Sequence, residues 1–530
     1  MSTKVIVTND SALRAKYGAA GKSRIDSAVK TLIAADAARG LKTRVVAIDS
    51  AKALKAAKGK AVGGPADVPG AKRAIDAVAR KYRPDYVMIL GGVDIVPHQQ
   101  LVNGAFEPGG DDDRTIPSDL PYACEAPYST EPADFVGATR VVGRLPDITG
   151  ASPAARDAEY LAGLLGRASA AKPRPAIEYA SWLGISAEVW KASTEMSLAT
   201  MFGADASCRT VPPEGPTWAG HELASLVHFI NCHGASADPN YYGQPASGAS
   251  QFPVALRASD IAGALSEGTV IAPECCYGAE LYDPTLATHA PMVNTALGSG
   301  ASGFFGASTI AYGPADGNDM ADLVTRFFLQ QVLAGASVGR AALVARQRYV
   351  QQSSPMNPIE LKTLAQFSLF GDPSVHPVMG MDSGTGSGSG PAAPKTPSLV
   401  SLAGTPGESG GGPARSFRRA TLLDTGLRLG ASVSACVGKG TPLAAGKQRQ
   451  TLTRIAARFG VVPGAFRRFP VLSPMKAVYT KAKIAMALPD EIHMASQSRQ
   501  VEVLKRAEIR TVIALVRQGE IVSVKVAYSR

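Results

Sequence analysis

Two short apolar runs end on residues that can do chemistry. Leu226-Val227-His228-Phe229-Ile230-Asn231-Cys232 stops at His233-Gly234, and Thr269-Val270-Ile271-Ala272-Pro273-Glu274 stops at Cys275-Cys276-Tyr277-Gly278. Unbroken apolar runs of this length read as strands buried on both faces. Ligand sites in open α/β sheets form just beyond the carboxyl ends of parallel strands, so two neighbouring strands ending this way set an imidazole beside a thiol. The thiolate is the reactive form of cysteine, and His233 is the base to take its proton. Side chains alternate along a strand, so only one of the two cysteines faces the site. Cys276, at the end of the run, is the candidate nucleophile, and Cys275 packs beneath the sheet. Gly234 and the small-residue turn after Cys276 let backbone N–H groups approach a substrate carbonyl. Two plainer readings stand beside this one. Cysteine at a strand end is commonly core, and His228, Cys232, His233, Cys275 and Cys276 offer zinc ligands, although adjacent strand positions diverge and suit a tetrahedral site poorly.

The surrounding elements supply such a sheet. Residues 4–9, 43–49, 86–92 and 138–146 are β-type runs, the first three separated by helical stretches near 23–39 and 70–82. A second α/β unit opens with a helix near 153–168. It alternates strands at 177–184, 226–232, 268–274 and 302–308 with helical stretches, the last near 318–352. The Gly/Ser/Pro-rich stretch 380–415 reads as a flexible linker. Beyond it, residues 511–516 and 521–526 form a hairpin across Arg517-Gln518-Gly519-Glu520.

The 530 residues carry a net charge of +11, unevenly placed: residues 401–530 hold 21 Lys and Arg against 7 Asp and Glu, and the first 400 hold 34 against 37. The chain is a near-neutral body with a basic tail. Such a tail suits nucleic acid or another polyanion, or a regulatory partner. Six cysteines without paired spacing argue against a disulfide framework. The N-terminus lacks the signal-peptide pattern and no apolar run is long enough to span a bilayer, so a cytoplasmic protein with no membrane partner is expected.

An apolar strand ending in His-Gly followed by one ending in Cys-x-Gly resembles the caspase-like superfamily of cysteine peptidases. Four further segments narrow the resemblance to the gingipain-like family: Asp85-Tyr86-Val87-Met88-Ile89-Leu90-Gly91-Gly92-Val93-Asp94-Ile95-Val96-Pro97, Pro117-Ser118-Asp119-Leu120-Pro121-Tyr122, Val142-Gly143-Arg144-Leu145-Pro146 and Phe370-Gly371-Asp372-Pro373-Ser374. The resemblance implies an α/β caspase-like catalytic module of two parallel-sheet subdomains, residues 1–150 and 151–379. The linker 380–415 and a small basic α+β domain, 416–530, would follow. It also implies a cysteine endopeptidase without cofactor or metal, acting on protein or peptide substrates through a thioester. His233 would be general base and acid, Cys276 the nucleophile, and the N–H groups of Gly234 and Cys276 the oxyanion donors. Asp119 would bind a basic substrate side chain, giving cleavage after Arg or Lys; the alternative for Asp119 is an Asx turn. The arginines between Arg415 and Arg419 would then be self-cleavage sites, and the tail a removable inhibitor or a released effector. Regulated bacterial defence or cell death is the setting the resemblance suggests. No carboxylate near His233 in sequence is an evident orienting group, and Asp111-Asp112-Asp113 reads as a solvated loop or a calcium ligand set. The competing class is a non-catalytic scaffold of the same fold whose tail binds nucleic acid or a partner.

Overall fold

The computed structural model describes residues 2–353, 355–379, 435–436, 438, 440–462, 465–472 and 491–530. The expected linker 380–415 and Arg415–Arg419 lie outside the described residues. Ten strands form the central sheet: β1 (Ser2–Thr8), β2 (Leu41–Ala47), β3 (Tyr86–Leu90), β4 (Val142–Leu145), β5 (Trp182–Ala187), β6 (Arg209–Val211), β7 (Val227–Asn231), β8 (Thr269–Pro273), β9 (Ala301–Ala307) and β10 (Phe367–Phe370). Their order across the sheet is β2-β1-β3-β4-β10-β9-β8-β7-β5-β6. The two halves read from the sequence as separate subdomain sheets are therefore one sheet. The join is β10, whose last residue, Phe370, opens the motif at 370–374; it runs parallel to β4 and antiparallel to β9. Every residue of β7 and β8 is buried, as parallel strands covered on both faces require.

Helices Asp10–Ala38 and Ala158–Ala170 pack on each other, as do Met320–Leu333 and Val338–Gln352, and their buried residues join one core with the sheet. Their starts are fixed by side-chain caps. Asn9 accepts from the N–H of Ala12 at 3.0 Å, and Ser337 from that of Arg340 at 3.2 Å. None of the helices of the described residues is long and apolar enough to cross a membrane.

Three of the motif segments meet at one buried guanidinium. Arg144 donates to the carbonyls of Gly91, Gly92 and Val96 at 2.9, 3.1 and 2.7 Å and grips Asp119 with two bonds of 2.8 and 2.6 Å. Tyr122 of the same Asp119 segment donates to the carbonyl of Pro97 at 2.6 Å. The closing motif is anchored in a similar way, with Asp372 accepting from buried Lys4 at 2.6 Å. Buried charges persist only when paired and hydrogen-bonded, so these motifs weld loops to strand ends.

The C-terminal part adds a second sheet built from β11 (Arg467–Leu472), β12 (Glu491–Val501), β13 (Arg506–Arg517) and β14 (Glu520–Ser529). The hairpin expected across 517–520 is present: Arg517 pairs with Glu520, and Gln518 and Gly519 both take positive φ, 51° and 81°. That is the backbone of a tight primed turn. The strands run much further than their apolar cores at 511–516 and 521–526 indicate. Their far ends reach the first 379 residues, where β14 pairs with the short strand Tyr312–Gly313.

Candidate active site

β7 and β8 are parallel neighbours, with Val270 opposite Val227 and Pro273 opposite Ile230. Cys276 and His233 each lie three residues past that last pair, so the register carried onward sets them opposite one another at the carboxyl end of the sheet. The backbones approach closely there. A Cβ on Gly234 would fall 1.9 Å from the carbonyl oxygen of Cys276, so no other residue fits without moving one strand end. Immediately after the cysteine, Tyr277 takes φ 53°, a conformation that costs energy outside glycine and turns the chain sharply away.

His233 is fully buried. Its Nε2 bonds the Gln244 side-chain oxygen at 2.9 Å, while the Gln244 amide nitrogen donates to the carbonyls of Gly248 and Ala249. With Gln244 accepting, Nε2 carries the proton and Nδ1 is the acceptor. Gln244 thus fills the orienting role sought among carboxylates. A neutral amide 11 residues downstream gives no signal in sequence. Trp190 and Phe252 wedge the ring, their centroids 4.3 and 5.0 Å away. Burial, then the charge of Arg506, hold the imidazole well below its ordinary pKa, so it is neutral at pH 7.

Cys276 is also fully buried, and its Sγ accepts from the N–H of Ala311 at 3.2 Å. Burial pushes the thiol pKa up, with Arg506 pulling the other way. Cys275 lies on the other side, within 3.9 Å of the Ile230 carbonyl and near Cys232, and burial raises its thiol well above the usual range. The segments around Cys276 are pinned by the acidic run. Asp113 accepts from the Tyr277 hydroxyl at 2.7 Å and the Ile310 N–H at 2.9 Å, and Asp111 from the Tyr312 hydroxyl at 2.9 Å. Lys362 closes the cluster, at 2.6 Å from Asp111 and 2.9 Å from Asp113. A lysine thus holds the place offered to calcium. Among the described residues no three His, Cys, Asp or Glu are placed to hold a metal ion. His228, a zinc candidate in sequence, bonds the carbonyl of Leu223 at 3.1 Å and its pKa is lowered to about 4 by burial.

Asp119 is buried in an ion pair with Arg144. Burial disfavours its charge, but Arg144 and His98 outweigh that and hold the carboxylate below its usual range. Both oxygens bond Arg144, so the carboxylate is paired within the fold. It does not form the Asx turn, since its side chain caps no N–H of the helix it begins.

The C-terminal part fills the space over His233 and Cys276. Leu504, at the tip between β12 and β13, is buried against Tyr242 and Phe252. Arg506 donates from Nε to the carbonyl of Gly234 at 2.9 Å, and its Nη2 lies 3.5 Å from His233 Nδ1 and bonds the carbonyl of Arg530. The Arg530 guanidinium stacks at 4.5 Å over Trp190 and pairs with Asp322 at 3.0 Å. A cleft of about 630 Å3 does open elsewhere, between Leu164, Arg174, Glu267 and Asp372, and includes neither His233 nor Cys276.

Residues 250–378 match the model of peptidase family C25. Cys276 lies inside the matched segment and His233 before it. No curated protein matches the chain in sequence. Among solved structures, a chain described as "Structure of Protease" aligns at 12% identity over 99% of this chain and 97% of that one, with a TM-score of 0.44. Through the segment that carries Cys276 the chain is similar to the gingipain family of clan CD, as its motifs indicate, which supports a cysteine peptidase at the level of the family.

Proposed function

We propose that the protein is a cysteine endopeptidase with Cys276 as nucleophile and His233 as general base and acid. The observation that carries this reading is the apposition of two strand ends, Gly234 packed on the Cys276 carbonyl, with an imidazole whose tautomer Gln244 fixes. When substrate replaces the C-terminal segment, the thiol proton passes to His233 Nδ1 and sulfur attacks the scissile carbonyl. The N–H groups of Gly234 and Cys276 take up the charge on the carbonyl oxygen. Collapse of that adduct breaks the C–N bond, and the imidazolium protonates the departing amine. Water, deprotonated by His233, then attacks the thioester, releases the acid and restores the thiol.

The second reading is a scaffold without turnover, and the buried, proton-retaining Cys276 beneath Arg506 favours it for the closed form. The two are separated by freeing the site. Leu504→Asp puts a charge into the pocket of Tyr242 and Phe252 and unseats the hairpin tip. The peptidase reading expects this variant to cleave fluorogenic peptides, to alkylate at Cys276 in preference to Cys275, and to lose turnover with Cys276→Ala added. If freed protein cleaves nothing and alkylates neither thiol selectively, the scaffold reading replaces it.

A further inference from the structure

We infer that the solvent face of the C-terminal part, along helix Lys447–Arg458 and the residues just after it, is a binding surface for single-stranded nucleic acid. The inference does not rest on the peptidase reading of Cys276 and His233.

The charge there has one sign over a long stretch. No Asp or Glu stands between Asp424 and Asp490, while 11 Lys and Arg do. The helix sets part of this charge in a line. At about 100° per residue, positions 447, 454 and 458 fall within roughly 40° of one another, and 452 and 456 fall on the opposite side. Leu452 and Ala456 are accordingly buried with Val461 and Phe466 against Val512 and Ala514 of β13. Lys447, Arg454 and Arg458 are exposed, and their side chains pair with no acid among the described residues. At a rise of about 1.5 Å per residue they stand about 10 Å and then about 6 Å apart along the axis. The core needs none of the three. Arg454 and Arg458, four positions apart, repel each other, a cost that a bound polyanion removes.

The neighbouring groups narrow the kind of polyanion. The apolar face of the helix is spent on the core of its own domain, so none is left to enter a bilayer. Past Arg458, Phe459 is 45% exposed and Val462 76%. An aromatic ring held open beside arginines is the arrangement that stacks unpaired bases while guanidinium groups hold the phosphates; the bases of a duplex are already stacked, and an acidic peptide has none. The chain turns at Gly460, φ 67°, and Val462 donates its N–H to the Gln497 side chain at 3.0 Å, which seats the helix end against β12. A groove of about 180 Å3 opens there between Gly460, Gln497, Ser498, Arg499, Glu508 and Arg510. Its acid, Glu508, is paired with Arg499, and the Arg510 guanidinium lies 5.7 Å over the Tyr528 ring. The groove therefore extends the basic path beyond Phe459.

The test is fluorescence anisotropy on the full chain with labelled oligo(dT) and oligo(U) of about 20 nucleotides, long enough to cover one such site. Each phosphate contact to a single strand contributes about 0.7 to the slope of log K against log salt. Combining Lys447→Gln, Arg454→Gln and Arg458→Gln should thus lower the slope by about 2 and the affinity at least about tenfold. Phe459→Ala should weaken binding at least about fivefold and leave the slope unchanged. Lys52→Gln, Lys55→Gln and Lys60→Gln remove the same charge from exposed positions near the other end of the chain and should change neither. A preference for oligo(dT) or for oligo(U) supports the proposal and assigns the source, DNA or RNA. It is overturned if neither oligonucleotide binds at low salt, if the two triple variants lose affinity equally, or if duplex DNA of the same length binds tenfold more tightly. Displacement of the labelled strand by polyglutamate or phosphatidylserine vesicles at equal charge overturns it too. Circular dichroism checks folding, and Arg454→Gln alone, with an expected slope change of about 0.7, stands in should the triple variant unfold.

Discussion

Gly234→Ala is a small change with a calculable consequence. The new Cβ would sit 1.9 Å from the Cys276 carbonyl oxygen, and ordinary contact begins at 3.4 Å, so the strand ends must part by about 1.5 Å, the difference of the two. The φ of Gly234 is not in the left-handed region, so sterics alone decide the outcome. The two nearest atoms are the backbone oxygen and carbon of fully buried Cys276, which cannot swing aside as a side chain could. Overpacking of this kind costs about 1–3 kcal/mol of stability. Misplacing reacting groups by ~1 Å costs on the order of 100-fold in rate. In the Leu504→Asp background, kcat/KM on a cleaved fluorogenic peptide should therefore fall at least about 100-fold, and iodoacetamide labelling of Cys276, read by intact mass, should slow or lose its selectivity over Cys275. Gly163→Ala is the control, since its Cβ meets nothing within 4 Å inside a helix. If Gly234→Ala keeps both rates within about threefold of the background, a shift too small for the ~1 Å displacement argument, the two strand ends are not apposed as described.

Three further outcomes follow from neighbouring contacts. Gln244→Leu leaves the buried Nε2–H of His233 unpaired, a loss of about 1–3 kcal/mol, and should lower kcat/KM about 10- to 100-fold; Gln244→Glu sets a carboxylate on the imidazole, raises its pKa, and should move the acidic limb of the pH–rate profile upward. Lys362→Met strips the cation from buried Asp111 and Asp113, a change that costs roughly 3–5 kcal/mol, and should lower the melting temperature and abolish labelling of Cys276, whose flanks those acids hold. Docking of the C-terminal segment should depend on pH through His233, which burial and then Arg506, Arg530 and Arg499 hold below its ordinary 6.5. A pKa depressed by docking stabilises the docked state fully above 6.5 and loses that stabilisation as pH falls toward the lowered value. Amide exchange across β13 and β14, corrected for intrinsic rates, should show less protection at pH 5 than at pH 7.5; equal protection contradicts the contact with His233.

What the sequence discloses here follows from how local the physics is. Val227–Asn231 and Thr269–Pro273 are apolar throughout because both faces are covered, so strands and strand ends are legible, and with them His233 and Cys276 as a pair to test. The 517–520 turn is legible because Gly519, between two β-type runs, takes positive φ without strain. Asp119 misleads because Arg144, which takes it, is 25 residues away and belongs to another motif. The separation into two sheets fails for a related reason: β10 has only four residues, and nothing local says that it lies between β4 and β9. Gln244, Asp322 and Arg530 carry no signature at all. An amide, an acid in a helix's first turn and a residue in a basic tail each have commoner explanations, and only the fold brings them to one place.

The tail's positive charge takes a different meaning once its contacts are sorted by depth. Arg467 donates to the carbonyls of Ala105 and Phe106, and Lys525 pairs with Asp319 and Glu360 from a half-exposed position. Salt weakens exposed pairs of that kind. Arg506 and Arg530 are buried and bound largely to backbone carbonyls and one buried carboxylate, where ions do not reach. Ionic strength alone is thus a poor key to the site. Covalent tethering sets how hard competition for the site is. A segment joined to its own site acts at an effective concentration near millimolar, whereas the same segment severed must rebind from dilute solution. A cut between Arg415 and Arg419 would disturb none of the contacts of Arg506 or Arg530, yet it would remove that advantage.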